Sequence, residues 1–347
     1  MRGKFLAAAA VMGLVALVGV ACGGDDDDDD PTSTPEPSTS LTLYSGRSEA
    51  LVQPIIDEFE TETGIEVSVK YGDTAELAAL LNEEGSRSPA DVYLAQDGGA
   101  LGAVSAAGLL DAIPAGLLEK VAAPYRSTKG EWVGVSGRAR VIVYNTDSVQ
   151  ASELPDSVDD LTGAEWKGKV GWAPTNGSFQ AFVTAFREVE GEEAAGQWLE
   201  DMQANGVQEY PGNREIVSAV AAGEIELGLV NHYYLYGFLK DQGEGFKARN
   251  HHTAANDVGS LVNVAGVGIL KSSHRKDAAV KLVEYLLSEH AQEYFAEQTY
   301  EYPVVAGVAT DPRLTPLDEI DPPDLDLSQL EDLQGTLALL RSSGVLP

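Results

Sequence analysis

The sequence predicts an α/β protein of two doubly wound lobes joined by hinge strands, with a ligand cleft between them. Three observations carry that expectation. From Leu41 to Ala95 the pattern runs strand, helix, strand, helix, strand, an order that builds a parallel sheet covered on both faces. A second αβ unit begins at Lys169. Between them, Trp132 to Asn145 holds two apolar stretches around polar residues, which suits a connection between lobes. The expected division is 41–137 plus 266–310 for lobe 1, 138–265 for lobe 2, and 311–347 packing on the lobes as loops and one short helix.

Each element has a local reason. Leu41 to Tyr44 alternates and stops at Ser45-Gly46, a strand followed by a turn. Ser48 or Glu49 can open an amphipathic helix that runs through Phe59 and ends before Gly64. Ile65 to Tyr71 alternates again, Thr74 to Glu84 reads as a helix, and Asp91 to Ala95 is a short apolar strand. In the second unit, strands are expected at Lys169 to Trp172 and Leu227 to Val230. Helices are expected at Phe179 to Glu188, Glu192 to Asn205 and Glu215 to Ala222. The pattern returns to strand at Leu261 to Leu270 and then to a long helix over Lys276 to Leu287, so the chain crosses between lobes more than once.

The first forty residues read as address and tether. Arg2 and Lys4 precede a 17-residue apolar run from Phe5 to Ala21, the length of a signal peptide's apolar core. The run stops at Gly19-Val20-Ala21-Cys22, which reads as a bacterial lipobox with Cys22 as the lipidated residue. Cys22 is the single cysteine of the chain, so no disulfide can form within it. Residues 22–40, with six aspartates from Asp25 to Asp30 followed by Pro, Ser and Thr, cannot bury a core and read as a flexible tether. The expected location is extracytoplasmic, with membrane contact only through the lipid.

The formal net charge is −32, and the aspartate run supplies only six of those charges. The folded part is therefore acidic, which argues against nucleic acid and anionic membrane surfaces as partners and does not repel a cation.

The densest unusual feature is Asn231-His232-Tyr233-Tyr234-Leu235-Tyr236-Gly237, directly after an expected strand. Aromatic packing would account for three tyrosines in four residues. The carboxyl end of a strand is also where open α/β sheets place ligands. In a loop or first helical turn the Tyr233 and Tyr234 phenols can converge; in a strand they would point to opposite faces. Two phenolates side by side at neutral pH need a strong cation, because free tyrosine titrates near ~10. A hard trivalent ion suits such oxygen donors, and its binding must release protons. His232 is a weaker ligand candidate, and His251-His252 is expected on a solvated surface. No nucleophile–base pair or paired carboxylates point to catalysis.

Seven motifs, each weak alone, occur in one order: Leu43-Tyr44-Ser45-Gly46-Arg47, Phe59 to Ile65, Ser88-Pro89-Ala90-Asp91-Val92, Ser136 to Asn145, Trp166 to Gly171, Asn231 to Tyr234 and Tyr302-Pro303-Val304. Together they resemble the periplasmic ferric-ion-binding proteins of bacterial iron ABC importers, within the class II solute-binding fold. The resemblance implies Fe(III) as cargo, delivery to an ABC permease, and Tyr233 and Tyr234 as metal ligands. The family's best-known branch adds a histidine and a glutamate where this chain has Ser48 and Gln96, so that four-residue protein set cannot form. A branch with a third tyrosine looks closer; it implies Tyr144 as a ligand and a synergistic anion, carbonate or alternatively phosphate, completing the shell. The resemblance points to Arg47, Arg138, Asn176, Gly177, Asn213 and Asn231 as anion contacts, with Tyr44, Ser48 and Gln96 behind them. Asn176 and Gly177 precede a helix whose amide dipoles favour anions, and arginine can pair bidentately with carbonate. A monomeric capture protein is expected. Alternatives are a polyamine, thiamine or phosphonate as ligand of the same fold, a lipoprotein sensor, or a secreted metal-dependent hydrolase.

Overall fold

The computed structural model describes residues 40–347. The expected signal peptide, Cys22 and the expected tether lie outside the described residues, except Ser40, which already belongs to the first strand. Among those described, no helix is long and apolar enough to cross a membrane.

Parallel strands β1 (Ser40–Ser45), β2 (Glu66–Tyr71) and β3 (Val92–Ala95) start the sheet, with β1 between the other two. Helices α1 (Glu49–Thr63), α2 (Thr74–Glu84) and α3 (Gly98–Ala106) wind around them. α1 stops where Gly64 takes a left-handed φ of 69°, a conformation glycine enters without a Cβ penalty. α4 (Ala115–Leu118) is a single turn before the long strand β4 (Trp132–Asn145).

The region expected to connect the lobes is one continuous 14-residue strand. Its polar residues do not break it because they are buried on the cleft side, while the apolar ones fill the cores. Lobe 2 follows with β5 (Val170–Trp172), α5 (Gly177–Glu190), α6 (Glu192–Ala204), β6 (Gln208–Glu209), α7 (Asn213–Ala222), β7 (Leu227–Asn231), α8 (Tyr233–Gln242) and β8 (Ala248–His251). The chain returns through β9 (Val262–Ile269), then α9 (Lys276–Leu286), α10 (Glu289–Gln298) and finally α11 (Leu333–Ser342).

The lobes share one nine-stranded sheet of order β2-β1-β3-β9-β4-β7-β5-β6, with β8 also paired to β4. It is mixed: β9 lies antiparallel to β3, and β4 runs antiparallel to β9, β7 and β8. β4 and β9 are the two crossing strands. Their ladder slips register between Gly134 and Ser136, a bulge that bends the sheet where the chain changes lobe. Hydrophobic residues form two core clusters, the smaller of which holds α7, α8 and the hinge end of β4.

Candidate metal centre

The site grows from the carboxyl ends of the lobe 2 strands. β7 ends at Asn231 and α8 begins at Tyr233, leaving His232 as the joint. His232 is buried: its Nδ1 accepts from the Ala139 backbone N–H at 3.1 Å, and its Nε2 lies 2.8 Å from the Tyr300 carbonyl. Those two bonds assign the proton to Nε2. Its ring stacks on Tyr302 at 4.6 Å, and burial pulls its pKa down to about 3. Both ring nitrogens are committed, so His232 pegs the start of α8 rather than binding a metal.

Tyr233 and Tyr234 then occupy the first turn of α8, where successive side chains need not oppose one another as they would in a strand. Their rings stack with centroids 4.3 Å apart and planes 27° apart. Burial and the adjacent Tyr233 phenol hold the Tyr234 proton well above the ordinary tyrosine range. A cation able to displace that proton would convert an expensive pair into a favourable one.

Three arginines surround the pair. Arg47 follows β1, while Arg138 and Arg140 lie two apart on one face of β4. Arg47, Arg138 and Arg140 are 3%, 2% and 2% exposed, and the carboxylate nearest them, Glu301, is 0% exposed. Arg47 Nη2 donates to both Glu301 oxygens at 2.8 and 2.7 Å, and its guanidinium lies 6.0 Å from the Tyr233 ring centroid. Arg138 Nε is 3.9 Å from Glu301, and Asp97 adds a second, weaker electrostatic contact. Arg140 bonds the Leu229 carbonyl at 3.2 Å and reaches Ser178 Oγ at 3.5 Å. Burial lowers the Arg140 pKa to about 9, against the opposing pull of Tyr234.

Several buried donors have no partner among the described residues: Nε and Nη1 of Arg138, Nε of Arg140 and Nδ2 of Asn231. Each such donor costs about 1–3 kcal/mol unless something accepts from it. Three of the four sit on guanidinium groups that interact electrostatically with the phenol pair, so together they could accept an anionic group.

Other expected residues fall into different places. Asn176 caps α5 by accepting from the Ser178 N–H at 3.0 Å, and Gly177 opens that helix. Asn213 accepts from the Asn231 N–H at 2.9 Å, tying α7 to the end of β7. Gln96 is half-buried beside Asp97, and its N–H donates to Thr74 Oγ1 at 3.1 Å; Ser48 is exposed before α1. Tyr44 is directed elsewhere, because its hydroxyl donates to Glu84 at 3.1 Å and Lys70 lies over its ring. Tyr144 is not brought to the pair. It sits opposite Leu227, whereas Arg140 sits opposite Asn231, so four strand residues, roughly 13 Å, separate it from the end of β7. Strand length places it at the wrong end. His251 and His252 are half-buried rather than solvated: His251 Nε2 meets the Pro155 carbonyl at 3.0 Å, and burial lowers the His252 pKa to about 4.

Arg140 and Glu301 are the site residues that sequence reasoning missed. The Arg-x-Arg spacing in a strand could have flagged Arg140. Glu301 pairs with Arg47 across 254 positions, so no local pattern announces it. Among the described residues, no group of three or more His, Cys, Asp or Glu is placed to hold a metal.

Residues 87–326 match the family described as bacterial extracellular solute-binding protein. The chain is 34% identical over 310 residues to the Fe(3+)-binding periplasmic protein of Serratia marcescens, covering 88% of this chain and 90% of that one. It is also 34% identical over 313 residues to the major ferric iron-binding protein of Neisseria meningitidis, covering 88% and 93%. Iron-bound HitA from Pseudomonas aeruginosa superposes with a TM-score of 0.84 at 36% identity, over 88% of this chain and 99% of that one. The Trichodesmium protein in complex with iron and citrate superposes with a TM-score of 0.76 at 33% identity, over 88% and 99%. These relatives are named for binding, not for catalysis, and the chain belongs to the family of bacterial extracellular solute-binding proteins.

Proposed function

We propose that this protein captures ferric iron outside the cytoplasm and delivers it to an ABC importer. Tyr233 and Tyr234 are the protein ligands, and a synergistic anion, carbonate for preference, completes the shell. The observation that carries the reading is the stacked phenol pair at the head of α8, ringed by buried arginines with unused donors. Charge supports it. Three arginines face two carboxylates, Glu301 and Asp97, leaving one positive charge. Fe(III) with two phenolates adds another, and a dianion such as carbonate removes both. The anion would meet Arg138 and Asn231, with Arg47 held behind them on Glu301, and with Arg140 and the amide ends of α5 and α7, at Asn176, Gly177 and Asn213, on the lobe 2 side.

A polyamine or thiamine fits poorly, because a cationic ligand would face three buried guanidinium groups. A phosphonate is the alternative the arginines favour, with the tyrosines as packing.

Iron and anion would hold the lobes together, with β4 and β9 as the hinge. The lobes divide at 137/138 and 265/266, next to the bulge in the β4–β9 ladder, and 311–347 packs across both. The protein would act as a monomer, tethered by lipid on Cys22, and dock on its permease when closed.

The test is colour. Metal-free protein mixed with ferric citrate in bicarbonate should develop a phenolate-to-iron charge-transfer band, which Tyr233→Phe and Tyr234→Phe each abolish or displace. A band unchanged in both variants would end the dityrosine reading, and no band at all would end the iron reading.

A further inference from the structure

Glu301 belongs to neither lobe's ligand set, yet the centre is built around it. It stands in the turn after α10, where Tyr300 takes a left-handed φ of 58°, a strained conformation for a tyrosine. The turn is pinned on three sides. Tyr302 exchanges two backbone hydrogen bonds with Gly137 of β4, at 2.7 and 2.9 Å. The Tyr300 carbonyl meets His232, and the Glu301 N–H donates to the Phe295 carbonyl at 3.0 Å. Strain held in place by that many contacts implies that the Glu301 side chain is wanted where it is.

Its carboxylate accepts from Arg47 through both oxygens and from Thr299 Oγ1 at 2.9 Å. Arg47 is thus already answered by an internal anion, whereas Arg138, whose Nε is 3.9 Å from Glu301, has no hydrogen-bond partner for Nε or Nη1.

We propose that Glu301 is a positioning residue that selects the anion accompanying the metal, by neutralising Arg47 and leaving Arg138 as the cation an incoming anion meets. The inference rests on the ferric reading above. With Glu301 in place, the site takes up one less negative charge from solution than its arginines alone would demand. A unit charge a few ångströms from a dry site is a large term, so removing it should favour the more highly charged of two competing anions.

The experiment uses the iron-loaded full chain at neutral pH. Formate and phosphate, carrying about one and two negative charges, are titrated in parallel, and half-saturating concentrations are read from shifts of the charge-transfer band. Glu301→Gln should raise the preference for phosphate over formate at least about tenfold. Glu301→Asp, which keeps the charge, should return it to within about threefold of the parent. Arg47→Gln, which leaves the carboxylate unanswered, should move the preference the opposite way. The two neutralising variants have opposite predicted signs, so either one alone decides the matter if the other fails to fold. A preference unmoved by whichever variant binds iron overturns the role of Glu301 while leaving the dityrosine site intact. Absence of the band in the parent protein instead overturns the ferric reading.

Discussion

The two faces of the cleft are built on different terms. On the lobe 1 side, Arg47 and Glu301 form a buried ion pair reinforced by Thr299, a platform whose hydrogen bonds are largely met within the protein. On the lobe 2 side, Asn231 and Arg140 are equally buried but hold donors with nothing to bond, beside a tyrosine pair of which Tyr233 is buried and Tyr234 half-buried. Arg138, on the crossing strand, belongs to both. Buried polar groups are ordinarily satisfied, so the imbalance distinguishes framework from site. One face sets the field, and the other awaits the ligand.

The largest effect should come from removing the lobe 2 ligands. The Tyr233→Phe, Tyr234→Phe double variant should lose ferric binding by more than about a hundredfold in a competition titration against citrate, about 3 kcal/mol or more, while its metal-free fold is retained. Next is acid. His232 and His252, both in lobe 2, are held neutral by burial, with pKa values of about 3 and about 4. A histidine depressed in the folded state binds fewer protons than the unfolded chain. Its contribution is therefore complete above the ordinary value of about 6.5 and lost as pH falls through the folded value. His232 alone should cost roughly 4 kcal/mol by the bottom of that window. Unfolding of metal-free protein followed by hydrogen exchange should show lobe 2 opening before lobe 1 as pH drops from 6.5 towards 4.

A smaller effect probes what ties the faces together. Gly99 of α3 lies so close to the turn before α11 that a Cβ would stand 2.1 Å from the Leu330 carbonyl oxygen. α11 itself is fastened to α5 through Thr184 and Thr336 at 2.7 Å and Arg187 and Asp332 at 2.8 Å. Gly99→Val should force that strap away from lobe 1 and destabilise the protein by about 1–3 kcal/mol, read by urea denaturation. The smallest effect is expected at Tyr144. Tyr144→Phe should leave the charge-transfer band and iron affinity unchanged, because the residue stands at the far end of β7.

Much of the fold was legible because its signals are local. Thr74 to Glu84 is helical over the expected residues, and Gly64 stops α1 through its own backbone preference. α3 escaped because Gly98 to Ala106 is uniformly small and apolar, without a helical period, and its helix is secured by the Asp97 cap and the strap packed on its glycines. β4 read as two apolar stretches around polar residues because buried arginines look like surface residues until a second chain segment supplies their partners. The site divides in the same way. Tyr233 and Tyr234 are neighbours in sequence and could be seen. Whether Tyr144 joins them depended on the register between β4 and β7, and Glu301 depended on a contact 254 residues long. Resemblance pointed to the candidate ligands, but only the pairing of strands could say which tyrosine was out of reach of the pair.

The central claim is best tested by anomalous diffraction at the iron edge from crystals grown with ferric iron and bicarbonate. A single strong peak within bonding distance of both phenolic oxygens of Tyr233 and Tyr234, with adjoining density for a small anion against Arg138, is the predicted result. A peak elsewhere, or one bonded to neither phenol, would contradict it.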